Sequence, residues 1–178
     1  MNQTELAKQG LLAMRDLVTV DCAIRQLHAR VIDAVWRKDA RDFAACFSVD
    51  GVWKIAGLHI QSRATIEEMF GKLLGVCERV LLNAGTPLLD ISGPEVVSRC
   101  YVVEQAKMMD GTSAMTIGAY HDRYVEEDGR WLFRHRHWSL HYRGPSDLSA
   151  DFVPSPDYDS PPGMPGLDEP TLTKRKDI

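Results

Sequence analysis

The chain has 178 residues, 44% of them apolar and 26% charged, with a formal net charge of −4. That composition supports one domain with a real core, its acidic balance argues against a nucleic-acid surface, and no apolar run nears the roughly 20 residues that span a bilayer. The N-terminal MNQTELAKQG lacks the pattern of an export signal, and Cys22, Cys46, Cys77 and Cys100 stand far apart with no C-x-x-C pair; reduced thiols, no zinc site and a cytoplasmic location are therefore expected.

Residues 3–16 are loosely amphipathic (Leu6, Leu11, Leu12) and predict a short leading helix. Asp21 predicts the cap of a second helix, in which Ile24, Leu27, His28, Val31, Ile32 and Val35 recur at spacings of three and four. His28 lies in that apolar stripe, either as a buried histidine with its hydrogen bond satisfied or as a group with a chemical task. Basic residues at Trp36-Arg37-Lys38 suit the helix C-terminus, and Asp39 predicts the cap of a third, short helix through Phe47. Ser48 to Gly51 reads as a turn, and Val52–Ile55 and Leu58–Gln61 as short strands broken at Gly57. Thr65-Ile66-Glu67-Glu68 resembles a capping box opening a helix with Ile66, Met69, Phe70, Leu73, Leu74 and Val76 inward.

After Arg79 the pattern changes to strands: Pro87–Ile91, a turn at Ser92-Gly93-Pro94, then a long alternating run from Val96 to Met109 and a turn at Asp110-Gly111. The stretch Met115 to Arg143 then predicts two long antiparallel strands joined at Glu127-Asp128-Gly129. Period-two alternation puts Thr116, Gly118, Tyr120, Asp122 and Tyr124 on one face of the first strand. On the second it groups Trp131, Phe133, His135, His137 and Ser139, against Leu132, Arg134, Arg136 and Trp138. So many polar and titratable side chains in one hairpin predict a site. From Gly144 onward the composition shifts, with seven of the nine prolines and few apolar residues. Residues 1–145 are thus expected to form the domain and 146–178 a tail or arm. Helices first and a meander of strands last imply an α+β domain with helices packed on the concave face of a curved, cone-shaped sheet, an arrangement that leaves a cavity between them.

This order, the pattern Gly118-x-Tyr120-x-Asp122-x-Tyr124 followed by Asp128-Gly129-x-Trp131, and the run from Asp39 through Phe47 to Trp53 resemble the SnoaL-like branch of the nuclear transport factor 2-like superfamily. The resemblance covers roughly Asp21 to Arg143. Within the branch the chain resembles scytalone dehydratase and hexachlorocyclohexane dehydrochlorinase, where an aspartate on the pocket helix holds a histidine of the sheet as base. Those two positions fall on Trp36 and Asn83 here, neither of which can do that work. The resemblance implies that Tyr120 faces the pocket, that Trp53 forms a wall and that Arg136 stabilises negative charge. Strict alternation instead turns His135 and His137 inward, and only a bulge would reconcile the two. It also implies a homodimer or homotrimer through the sheet.

Two readings of function follow. In the first, the protein is a lyase or isomerase of the dehydratase type acting without cofactor on a small hydrophobic, cyclic or terpenoid-like molecule. The sequence has no G-x-G-x-x-G and no P-loop. His28 or His137 replaces the lost base, Tyr120 donates to a substrate oxygen and Asp122 orients a histidine or acts itself. Val31, Trp36, Trp53, Asn83, Gly118, His135 and Arg136 contact the substrate. In the second, the protein is a non-catalytic ligand-binding or structural member of the family, its pocket holding an apolar ligand without turnover and Trp36 filling or flooring it. A metal held by His135, His137, His141 and Asp122 is a third, weaker alternative, because the run RHRHW reads equally well as a solvated face.

Overall fold

The computed structural model describes residues 3–91 and 95–153, with side chains described from Asp16 onward. The expected turn at Ser92-Gly93-Pro94 and the proline-rich segment from Pro154 lie outside the described residues. A single helix, α1 (Gln3–Arg37), replaces the two that were expected. No glycine or proline stands between Asp16 and Arg37 to break it. Asp21 caps nothing; its carboxylate accepts from Arg25 Nε at 2.7 Å, an i,i+4 pair on the exposed side. Asp39 does cap α2 (Ala40–Ala44), accepting from the Asp42 amide. The helix stops short of Phe47, which opens β1 (Phe47–Ile55), so the expected turn at Ser48 to Gly51 is an irregularity within a strand. After β2 (Leu58–Gln61) comes α3 (Arg63–Gly75), capped by Ser62 rather than Thr65, the hydroxyl of Ser62 accepting from the Thr65 amide.

The remaining strands are β3 (Cys77–Ala84), β4 (Leu88–Asp90), β5 (Val97–Met108), β6 (Ser113–Glu127) and β7 (Arg130–Gly144). Their order is β2-β1-β7-β6-β5-β3, with β4 paired on β5. All neighbours run antiparallel except β1 and β7, which are parallel. The fold is α+β, a mixed, curled sheet with the helices inside the curl. Ile24, Leu27, Val31, Ala34 and Val35 of α1 are buried with Phe43, Phe47, Trp53, Phe70 and Phe133 in one core. Phe43 and Phe70 stack at 4.2 Å between ring centroids. Cys46, Cys77 and Cys100 are buried, whereas Cys22 is exposed. No described helix is long and apolar enough to cross a membrane.

The β6–β7 hairpin closes with Glu127 opposite Arg130, leaving Asp128 (φ 50°) and Gly129 (φ 70°) as a two-residue turn with both φ positive. That is the chirality that matches strand twist. The pairing slips twice. Tyr124 faces Phe133 but Arg123 faces His135, so Arg134 is an extra residue on β7; Gly118 faces Leu140 but Ile117 faces Tyr142, so His141 is another.

Candidate functional site

The bulge at Arg134 decides which side chains of β7 reach the interior. It resets the alternation, so that Phe133 and Arg136, three apart, both face α1, while Arg134 turns out to pair with Asp50. Arg136 then stands opposite Asp122 of β6, and Trp138 opposite Tyr120. Arg136 Nη1 lies 3.2 Å from Asp122 Oδ2. Its guanidinium packs over the Tyr120 ring at 3.7 Å and the Phe133 ring at 4.4 Å.

From α1, His28 completes the group. Its Nε2 is 3.6 Å from Asp122 Oδ2 and 2.7 Å from the Tyr124 hydroxyl, which is 2.5 Å from Ser98 Oγ. Ser98, Tyr124, His28, Asp122 and Arg136 thus form one polar chain in the apolar interior, every member buried. Burial raises the Asp122 carboxyl to about 7, against the opposing pull of Arg136. Burial, and then the charge of Arg136, holds His28 well below the usual imidazole value. Burial lifts Tyr120 to about 12. The imidazole is thus held neutral and the guanidinium charged, while the carboxyl keeps its proton to higher pH than an exposed one. Asp122 Oδ1 and Arg136 Nε have no hydrogen-bond partner among the described residues.

Two small cavities, each of about 50 Å³, adjoin this group; each has room for a few waters. The inner one has Arg136 in its wall, with Val31, Trp53, Phe70 and other apolar side chains. The outer one is bounded by Thr116, Trp138 and Arg143 among others. Tyr120, Glu104 and Leu82 line both. Asp122 and His28 lie behind Arg136 rather than in either wall.

Of the residues singled out in the sequence, Val31, Trp53, Tyr120 and Arg136 therefore meet at the cavity, with His28 and Asp122 one layer behind. Gly118 is buried beneath Trp138, where an added Cβ would fall 2.6 Å from the indole. Four expectations are corrected. His135 and His137 face the opposite side of the sheet, because the bulge lies between them and Phe133. That also separates them from Asp122, and no three His, Cys, Asp or Glu side chains among the described residues are grouped to hold a metal. Trp36 is half exposed and does not floor the cavity; its Nε1 donates to the Leu82 carbonyl at 2.8 Å, tying the end of α1 to the edge strand β3. Asn83 is exposed, and the inward side chain beside it is Leu82. Ser98, Tyr124 and Glu104 join the site beyond the residues expected from the sequence. The even spacing of Glu104 from Cys100 and Val102, both buried, is the signal that puts it inside.

Comparison with known proteins agrees with this architecture. The chain resembles a single-residue variant of Rv3472, a protein of unknown function from Mycobacterium tuberculosis, at 23% identity and a TM-score of 0.65, over 78% of this chain and 80% of that one. It resembles hexachlorocyclohexane dehydrochlorinase LinA-type3 of Novosphingobium barchaimii at 17% identity and a TM-score of 0.68, over 78% and 97%. A candidate scytalone dehydratase from Novosphingobium aromaticivorans aligns at 16% identity and a TM-score of 0.64, over 90% and 99%. At these identities the likeness is one of fold. No curated protein sequence matches the chain. The model of the SnoaL-like domain matches residues 18–137, which run from α1 through the polar chain to the inward-facing Arg136, and the protein belongs to the SnoaL-like domain family.

Proposed function

We propose that this protein is a lyase or isomerase acting without cofactor on a small apolar compound that carries a carbonyl oxygen. The observation behind this reading is the buried guanidinium of Arg136 in the wall of a largely apolar cavity, with its Nε unpartnered among the described residues. A fixed cation in a low-dielectric site favours an oxygen on which negative charge develops, as in an enolate. Asp122 holds Arg136 in place, and Tyr120 and Phe133 sandwich it. Glu104 on the same wall is the base that takes the proton from the carbon next to the carbonyl. The electron pair of the broken C–H bond moves into the enolate. In an isomerisation the proton returns to another carbon; in an elimination the pair moves on and expels a leaving group from the neighbouring carbon. The names of the dehydrochlorinase and dehydratase of similar fold point to the same class of chemistry.

The test is exchange of α-hydrogens in a panel of small apolar ketones, followed by NMR in D2O. The wild-type protein is expected to catalyse exchange, and Glu104→Gln to lose about 10²-fold or more while still binding. The small, mostly apolar cavity also suits a second reading, a binding module. Ligand-dependent thermal stabilisation without exchange would favour it, and neither response would sink both.

A further inference from the structure

The outer face of the sheet carries a second polar constellation, which the cavity does not use. Lys54 of β1 pairs laterally with His59 of β2 and with His137 of β7; His137 pairs with His121 of β6, and His121 with Arg99 of β5. One row across adjacent strands is thus built of basic and imidazole side chains alone. The next row adds His135 opposite Arg123. The first row holds no carboxylate; the second carries Asp90 of β4 at its far end, beyond Val97, and Glu95, which is exposed, is bound to Arg123.

These groups are not spread in solvent. Lys54, His135 and His137 are buried, as are His121 and Arg99, while His59 at the row's end is exposed. Both ring nitrogens of His135 and Nδ1 of His137 are closed to solvent with no hydrogen-bond partner among the described residues. Lys54 likewise has no ion pair or hydrogen bond among them. Buried donors without acceptors are costly. An acceptor carrying negative charge would satisfy them and pair with the ammonium of Lys54.

We propose that Lys54, His135 and His137 form an oxyanion-binding site on the outer face of the sheet. The ammonium supplies the charge. Burial, then His137 and Lys54, hold His135 at about 4, and burial and Lys54 hold His137 at about 4. Each ring is therefore neutral at pH 7 and offers one N–H as a directional donor. The guanidinium of Arg99 extends the positive field along the row. The oxyanion has two sources. One is a free phosphate-type anion. The other is a carboxylate of this chain, since Asp157, Asp159, Asp168, Glu169 and Asp177 follow in the sequence, outside the described residues. The described chain ends beside the strand that carries both histidines, Val153 donating its amide hydrogen to the His141 carbonyl.

Inorganic phosphate titrated into the full-length protein, with the imidazole resonances followed by NMR, tests the site. Saturable shifts at His135 and His137 are expected, weakened at least tenfold in Lys54→Met and kept in Lys54→Arg, which separates loss of charge from loss of fold. If wild-type gives no shift but a full-length variant with all five acids changed to amides does, the site belongs to the chain's own carboxylates. No response in either protein, or one that persists unchanged in Lys54→Met, overturns the proposal.

Discussion

Arg136 Nη1 sits 3.2 Å from Asp122 Oδ2 with both side chains closed to solvent. A buried pair contributes little net stability, yet removing one partner strands the other charge at a cost of about 3–5 kcal/mol. Asp122→Ala, which leaves the guanidinium alone, is expected to cost that much in urea denaturation. The double variant Asp122→Leu/Arg136→Met removes both charges and is expected to cost far less than Asp122→Ala. A single-variant loss below about 1 kcal/mol would mean that water reaches and solvates the pair, as at an exposed one.

The buried groups also set how stability depends on pH, and they pull in opposite directions. Asp122 is raised to about 7, so the folded protein holds a proton that the unfolded chain releases at about 4. That stabilisation is full below about 4 and is lost as pH climbs through 7. His28 is lowered, and His135 and His137 are lowered to about 4, so the unfolded chain takes up protons there that the folded protein refuses. Their contribution is lost as pH falls from about 6.5 toward 4. Three groups oppose one, so stability should rise with pH across that window. His135→Gln/His137→Gln should flatten the rise, measured by urea midpoints between pH 4 and 7.5.

Much of this architecture was legible, and what was not has definite causes. Asp128-Gly129 announced the hairpin because its turn needs positive φ at both positions, which those residue types tolerate. The inward face of β6 followed from plain alternation, since Tyr120, Asp122 and Tyr124 belong to a strand with no inserted residue among them. The face of β7 did not, because a bulge leaves no mark in periodicity. Arg134 looks like any other charged residue of the strand, yet its insertion exchanges His135 and His137 for Arg136. The parallel pairing of β1 with β7 joins segments about eighty residues apart in sequence, beyond the reach of any local signal. Asp21 misled for a simpler reason. A capping residue type caps only where the helix ends, and nothing ends it there.

Gly118 and Gly71 make a matched pair of tests. A Cβ on Gly118 would stand 2.3 Å from the Ser139 carbonyl oxygen and 2.6 Å from the Trp138 ring, whereas one on Gly71 meets nothing within 4 Å. The carbonyl belongs to the strand ladder and cannot yield. Gly118→Ala should therefore destabilise by about 1–3 kcal/mol or more and disturb the indole beside the outer cavity. Gly71→Ala, inside α3, should stabilise by about 0.5–1 kcal/mol. Thermal melts of the two variants check both signs.

The Tyr124 hydroxyl lies between His28 Nε2 and Ser98 Oγ, at 2.7 and 2.5 Å, and it has a single proton to give. If it donates to His28 it accepts from Ser98, and if it donates to Ser98 it accepts from His28, so the three groups are satisfied only as a set. Tyr124→Phe leaves a buried imidazole and a buried hydroxyl without that partner, at a cost of about 1–3 kcal/mol. The double variant His28→Leu/Tyr124→Phe should fall short of the sum of its singles, the sign of direct coupling. The imidazole should nevertheless remain neutral to low pH in Tyr124→Phe, because burial, followed by Arg136, lowers it, not the phenol. Arg136→Met removes the smaller cause, so its imidazole should titrate at higher pH than in wild-type and still below 6.5. Histidine NMR titrations of the two variants would decide the order of causes. A return to the ordinary value in Arg136→Met would make charge, not burial, the force that keeps His28 neutral.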